Sequence, residues 1–157
     1  MRDTHVLMIG AGMGGLTAAL ALQKLGIKVT IYEQAPALGE VGAGLTISPN
    51  ATRALEYCGL GSFMEVNGDT PTNGALIHYK TGEALTLTQS QGGFKDRFGA
   101  EYYQIHRADL HDALVAAVYA HDSDAIVLDH KFVSLKQDDQ SVTATFKNGN
   151  SVNGDIL

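Results

Sequence analysis

A single cysteine, Cys58, among 157 residues leaves no way to close a disulfide within the chain. That suits a reducing compartment, and the residue reads as a small buried apolar side chain on a helix, not as a reactive thiol. Basic excess is missing as well: 11 Lys and Arg stand against 17 Asp and Glu, a formal charge of −6. Nucleic-acid binding relies on a basic surface and counterion release, so that class is excluded. No window is rich enough in Lys or Arg for a membrane-surface patch, and no run approaches the roughly 20 apolar residues that span a bilayer. Val6 to Leu22 follows Arg2, but four glycines between Gly10 and Gly15 interrupt it, which excludes the apolar core of a signal peptide. His106 and His111 are five apart and do not share a helix face, so no metal is expected. Tyr79 stands where a P-loop needs glycine before lysine, and Ser62 has no nucleophile-elbow context. The expectation is a soluble, cytoplasmic protein of one domain's length.

What is present begins with Thr4–Ile9, whose Val6-Leu7-Met8-Ile9 run marks a parallel strand buried on both faces. Glycines follow at once. Leu16–Leu25 reads as an Ala- and Leu-rich helix with Gly26 at its C-terminal cap. Lys28–Glu33 is β-branched and aromatic, hence a second strand. Strand, helix and strand within about 30 residues make a βαβ unit.

The alternation then stops. Ala35–Gly44 predicts a loop, Leu45-Thr46-Ile47 a short extended piece, and Ser48-Pro49-Asn50 the start of a helix to about Tyr57, closed by Gly59. Residues 74–88, with Ala75–Thr88 at the centre, predict a hairpin turning at Lys80-Thr81-Gly82. Gln89–Ala100 has no periodicity and reads as a loop, Tyr102–Ile105 as extended, and Ala108–Ala120 as an amphipathic helix. Ala125–Leu128, Lys131–Lys136 and Val142–Phe146 predict strands. A turn at Asn148-Gly149 then leads into Ser151–Leu157. Gly154-Asp155-Ile156-Leu157 looks like the start of a further apolar strand, so a truncated chain is expected.

The chemistry concentrates in Gly10-x-Gly12-x-x-Gly15. It follows an apolar strand, opens a helix, and is succeeded by Glu33 at the end of the next strand. Gly10 permits the tight turn, Gly12 lets the backbone approach a pyrophosphate, and Gly15 allows close packing of helix on sheet. The helix N-terminus offers unpaired N–H groups and partial positive charge to phosphates. Glu33 can accept hydrogen bonds from both adenosine-ribose hydroxyls and would repel a 2′-phosphate, which disfavours NADP at this site. NAD and FAD share the adenosine diphosphate half, and the fingerprint alone does not choose between them. The downstream loop and hairpin, in place of continued strand–helix alternation, depart from an NAD domain.

The succession GAGMGGL, YEQAP, GEVGAGLTISPNATRALEYCGL and YYQIHRADLHDAL resembles the single-component FAD-dependent aromatic hydroxylases, the salicylate, hydroxybenzoate and hydroxynicotinate enzymes among them. The resemblance runs over essentially the whole chain. It implies an α/β fold: a Rossmann-like FAD-binding domain over residues 1–157, with a parallel sheet and a β-hairpin belonging to a largely missing substrate domain. It assigns Gly12, Met13 and Gly14 to the pyrophosphate, and Glu33 and Gln34 to the adenosine ribose. Gly44 and Thr46, within Gly42-Ala43-Gly44-Leu45-Thr46, fall along the ribityl chain and flavin, Arg107 reaches the cofactor, and the Phe132 backbone meets the adenine. The implied activity is NAD(P)H-dependent hydroxylation of a small aromatic substrate with O2, through a flavin C4a-hydroperoxide. No acid or base for that chemistry is identified. A homo-oligomer, or docking to a C-terminal part, is the expected partnership. A non-catalytic dinucleotide-binding module and an NAD-dependent dehydrogenase fragment are the alternative readings.

Overall fold

The computed structural model describes residues 4–39, 42–71, 73–89 and 93–157. They group into two units, one of Met1–Val41 with Ala108–Leu157 and one of Gly42–Arg107. The first unit opens with β1 (His5–Ile9), α1 (Met13–Lys24) and β2 (Lys28–Tyr32). β1 and β2 pair in parallel, with Val6 opposite Val29 and Ile9 opposite Tyr32. α1 buries Leu16, Ala19 and Leu20, a spacing of three and four that turns one stripe toward the core. This helix starts three residues earlier than the sequence predicts. Gly12 is its N-cap, and Met13, Gly14 and Gly15 form its first turn. The low helix propensity of two glycines is tolerated there because Gly10 makes the chain reversal just before them.

The second unit contains β3 (Gly44–Ile47), α2 (Pro49–Tyr57), α3 (Gly61–Asn67), β4 (Asn73–Ile77), β5 (Ala84–Gln89), α4 (Gly93–Phe98) and β6 (Tyr103–His106). The Ala35–Gly44 loop and the Gln89–Ala100 loop include residues 40–41 and 90–92, which lie outside the described residues. Within the second of these loops the structure departs from expectation, because residues 93–98 are helical. Tertiary contacts hold that short helix. Phe94 stacks on Tyr102 with centroids 4.6 Å apart, and the Phe98 carbonyl accepts a 2.9 Å hydrogen bond from Arg53. α3 also escapes the sequence reading; it is only seven residues long and is anchored by the fully buried Met64. Isolated helices so short are not stable in water, so packing decides them. β4 and β5 form the expected hairpin as a two-stranded sheet, and Leu76, Ile77 and Leu85 on it are exposed. The side chain of Leu87 lies outside the described residues.

After α5 (Arg107–His121) come β7 (Ile126–Val127), β8 (Phe132–Gln137), β9 (Val142–Phe146) and β10 (Ser151–Gly154). β7 joins β2 in parallel, giving the order β1-β2-β7, and the last three strands form an antiparallel sheet in the order β10-β9-β8. The inward residues of β9, Val142, Ala144 and Phe146, alternate as a half-buried strand requires. They form one cluster with Leu7 and Tyr32, so the antiparallel sheet and the parallel one share a core. The final apolar stretch is not one strand. β10 ends at Gly154, Asp155 donates its N–H to the His5 carbonyl at 2.9 Å, and Ile156 forms a parallel bridge with Val6. The chain thus leaves the antiparallel sheet at Gly154 and meets the free side of β1 through a single bridge at Ile156, so the expected strand over Ser151–Leu157 is confined to Ser151–Gly154. Among the described residues no helix is long and apolar enough to cross a membrane.

Candidate dinucleotide site

The turn between β1 and α1 is built as the glycine spacing demands. Gly10 has φ +94, a conformation side-chain-bearing residues rarely adopt, and its N–H donates to the Tyr32 carbonyl at 2.9 Å. A Cβ on Gly15 would overlap the Gly10 carbonyl oxygen, so the third glycine lets the helix approach the strand end itself. Gly12 and Gly14 are different: a Cβ on either would meet no heavy atom within 4 Å. Among the described residues, no acceptor takes the N–H groups of Gly12, Met13 and Gly14. A helix start with open backbone donors and no side chain in the way fits the pyrophosphate of a dinucleotide.

Glu33 follows β2 and is half-buried. Its Oε2 accepts the Ala11 N–H at 2.8 Å, and its Oε1 accepts the Ala35 N–H at 2.9 Å. The carboxylate therefore braces the glycine turn as well as facing outward, a role the sequence reading did not assign. Each oxygen keeps a second lone pair for a hydroxyl.

Glu33 opens onto a cleft of about 220 Å³ lined by Ile9, Gly10, Tyr32, Glu33, Gln34, His130, Lys131 and Phe132. The sequence-named Gly10, Glu33, Gln34 and Phe132 are thus gathered at the C-terminal ends of β1 and β2. That is where open parallel sheets bind ligands. Burial raises the Tyr32 phenol above its ordinary value of 10.0, with a hydrogen bond to the Thr30 side chain opposing the shift, so the wall it forms is uncharged at neutral pH. His130 and Lys131 went unnamed in the sequence. The His130 N–H donates to the Glu33 carbonyl at 2.8 Å, and its Nδ1 lies 2.6 Å from the Leu128 carbonyl. A carbonyl only accepts, so Nδ1 carries the proton and Nε2 accepts from the Asn150 amide at 3.1 Å. The ring packs edge-on against Phe146 with centroids 4.9 Å apart. His130 fixes the cleft wall to the end of β2.

In the second unit β3 and β6 pair antiparallel, Gly44 opposite His106 and Thr46 opposite Gln104. The Arg107 N–H donates to the Ala43 carbonyl at 2.8 Å, so Gly44 and Arg107 lie at the same end of this ladder, with Thr46 two residues along it. A Cβ on Gly42 would lie 2.6 Å from His106 Nε2, which ties the Gly42–Gly44 segment closely to β6.

The parallel βαβ unit, the open glycine turn and the acid after β2 define a dinucleotide-binding domain. The profile described as FAD binding domain matches residues 3–155, and the chain belongs to that family. FAD is the family's cofactor, and the residues of the turn and cleft fit it. The chain is 32% identical over 153 residues to 3-hydroxybenzoate 6-hydroxylase of Klebsiella oxytoca, covering 98% of this chain and 38% of the relative. It is 31% identical over 157 residues to 6-hydroxynicotinate 3-monooxygenase of Pseudomonas fluorescens, covering 99% and 40%. The crystal structure of Klebsiella pneumoniae HpxO complexed with FAD and uric acid superposes with a TM-score of 0.85 at 27% identity, over 99% of this chain and 38% of that one. The chain therefore spans about two fifths of the length of the relatives it matches.

Proposed function

We propose that this chain holds FAD for a longer flavoprotein monooxygenase that hydroxylates a small aromatic ring with O2 and a nicotinamide donor. The observation that carries the reading is the Glu33 carboxylate. It is bound to the Ala11 N–H of the glycine turn and borders the cleft between Gln34 and Phe132. In this reading the open N–H groups of Gly12, Met13 and Gly14 take the pyrophosphate, Glu33 the ribose hydroxyls, and Gln34 with the Phe132 backbone the adenosine end. Gly44, Thr46 and Arg107 serve the flavin end. When bound, FAD supplies the redox and oxygen chemistry. The chain's residues bind it, orient it and keep water from its adenosine half. The 3-hydroxybenzoate and 6-hydroxynicotinate named for the relatives are the substrate chemistry we assign to the intact protein. Relatives more than twice as long support placing ring hydroxylation in the longer protein.

Purified 157-residue chain titrated with FAD and with NAD should quench flavin fluorescence and show no comparable affinity for NAD. It should not couple NADH oxidation to hydroxylation of either aromatic acid. Preference for NAD would overturn the reading, and coupled hydroxylation by the chain alone would overturn its assignment to a part of the enzyme. Arg107 supplies a second test. Arg107 opens α5, and its backbone N–H is held by the Ala43 carbonyl at the end of the β3–β6 ladder where Gly44 lies, which suits contact with an anionic or oxygen-rich ligand there. Arg107→Ala should weaken FAD binding roughly tenfold, by loss of a charge-assisted hydrogen bond. Unchanged affinity, measured by the same titration, would remove Arg107 from the site.

A further inference from the structure

His111 is 3% exposed, on the face of α5 that also buries Leu110, Leu114 and Val118. Its Nε2 lies 2.8 Å from the carbonyl oxygen of Ala11, 100 residues earlier in the chain. The carbonyl can only accept, so Nε2 carries a proton. Nδ1 is buried and makes no hydrogen bond to a described residue; the Asp112 carboxylate oxygen stands 4.0 Å away, at ion-pair but not hydrogen-bond distance. Half the ring's hydrogen-bonding capacity is therefore unused in a place where leucine would pack without that penalty. The bond to Ala11 is what sets histidine apart there.

Ala11 is the residue between the first two glycines of the turn. Its N–H is held by Glu33 Oε2 and its carbonyl by His111 Nε2, one partner following β2 and the other on α5. The Ala11–Gly12 peptide is planar and trans, so a carbonyl drawn into the interior turns the Gly12 N–H the opposite way. Gly12 faces open space. We propose that His111 is a positioning residue for the cofactor: without touching FAD, it aims the Gly12 N–H at the pyrophosphate by anchoring the Ala11 carbonyl. The proposal rests on the FAD reading above.

His111→Met and His111→Gln test it, because the two side chains have similar length and only glutamine donates a hydrogen bond. FAD and ADP affinities are measured below both melting midpoints, and the Gly12 amide is followed by NMR in ligand-free protein. The methionine variant should bind both ligands about tenfold more weakly, with a shifted Gly12 amide. The glutamine variant should recover most of the wild-type affinity and signal. Equal affinity in the two variants, at whatever level, overturns the proposal. If the methionine variant does not fold, His111→Leu replaces it in the same comparison. A wild-type chain that binds neither ligand overturns the flavin reading itself, and the Gly12 amide of the methionine variant then decides alone whether His111 holds the turn.

Discussion

Glu33→Ala should lose FAD affinity by about 3 kcal/mol, more than a hundredfold. Two effects add. The proposed bonds to the ribose hydroxyls are charge-assisted and disappear. The Ala11 and Ala35 N–H groups, which the carboxylate now accepts at 2.8 and 2.9 Å, also lose their partner. The turn should therefore loosen even without ligand. Glu33→Gln separates the contributions, since its single carbonyl oxygen can serve one of the two N–H groups but carries no charge. Flavin released during gel filtration, together with hydrogen exchange at the Ala11 amide, reads both effects. An alanine variant that retains flavin through the column, with Ala11 protection unchanged, would remove Glu33 from both roles.

The second large effect concerns the glycines, which the structure divides by function. Gly15→Ala puts a methyl group onto the Gly10 carbonyl oxygen, with the Gly10 carbonyl carbon at 3.3 Å and Met8 Cγ at 3.7 Å. The obstacle is backbone in a left-handed turn and cannot swing aside as a flexible side chain could. Overpacking of this kind costs about 1–3 kcal/mol or more, so the urea midpoint should fall markedly with or without FAD. Gly12→Ala is the counterpart. Gly12 has φ −78 and ψ 176, which alanine adopts freely, and the added methyl would meet only open space. Stability should change by less than about 1 kcal/mol, while FAD affinity falls because the methyl occupies the phosphate approach. A Gly15→Ala protein as stable as wild type, or a Gly12→Ala protein with full affinity, would contradict this division.

The βαβ unit was legible because its signals are local. Val6–Ile9 is apolar on both faces, and the glycines punctuate the chain at fixed spacing. Lys28–Tyr32 is β-branched and aromatic, and it forms β2 opposite β1 in register. Gly10, Gly12, Gly15 and Glu33 could be named from the same stretch, since the physical task of each depends on neighbours within about 30 residues. The hairpin and the β8–β9–β10 strands were legible for a similar reason, their turns standing between alternating runs. The short helices were not. Residues 93–98 carry no helical period and depend on Tyr102 and Arg53 for their shape, and Gly61–Asn67 depends on the burial of Met64.

By itself, then, the sequence determined which residues form the glycine turn and the acid after β2, to which we assign a dinucleotide's phosphates and ribose, because steric freedom at glycine and charge at Glu33 are properties of single residues. Only the tertiary structure decided what holds those residues in place. His130 reaches the Glu33 carbonyl from the start of the antiparallel sheet, and His111 reaches the Ala11 carbonyl from α5. Neither pairing leaves a local pattern, because a hydrogen bond across about 100 residues is set by how helices and strands pack, not by spacing along the chain.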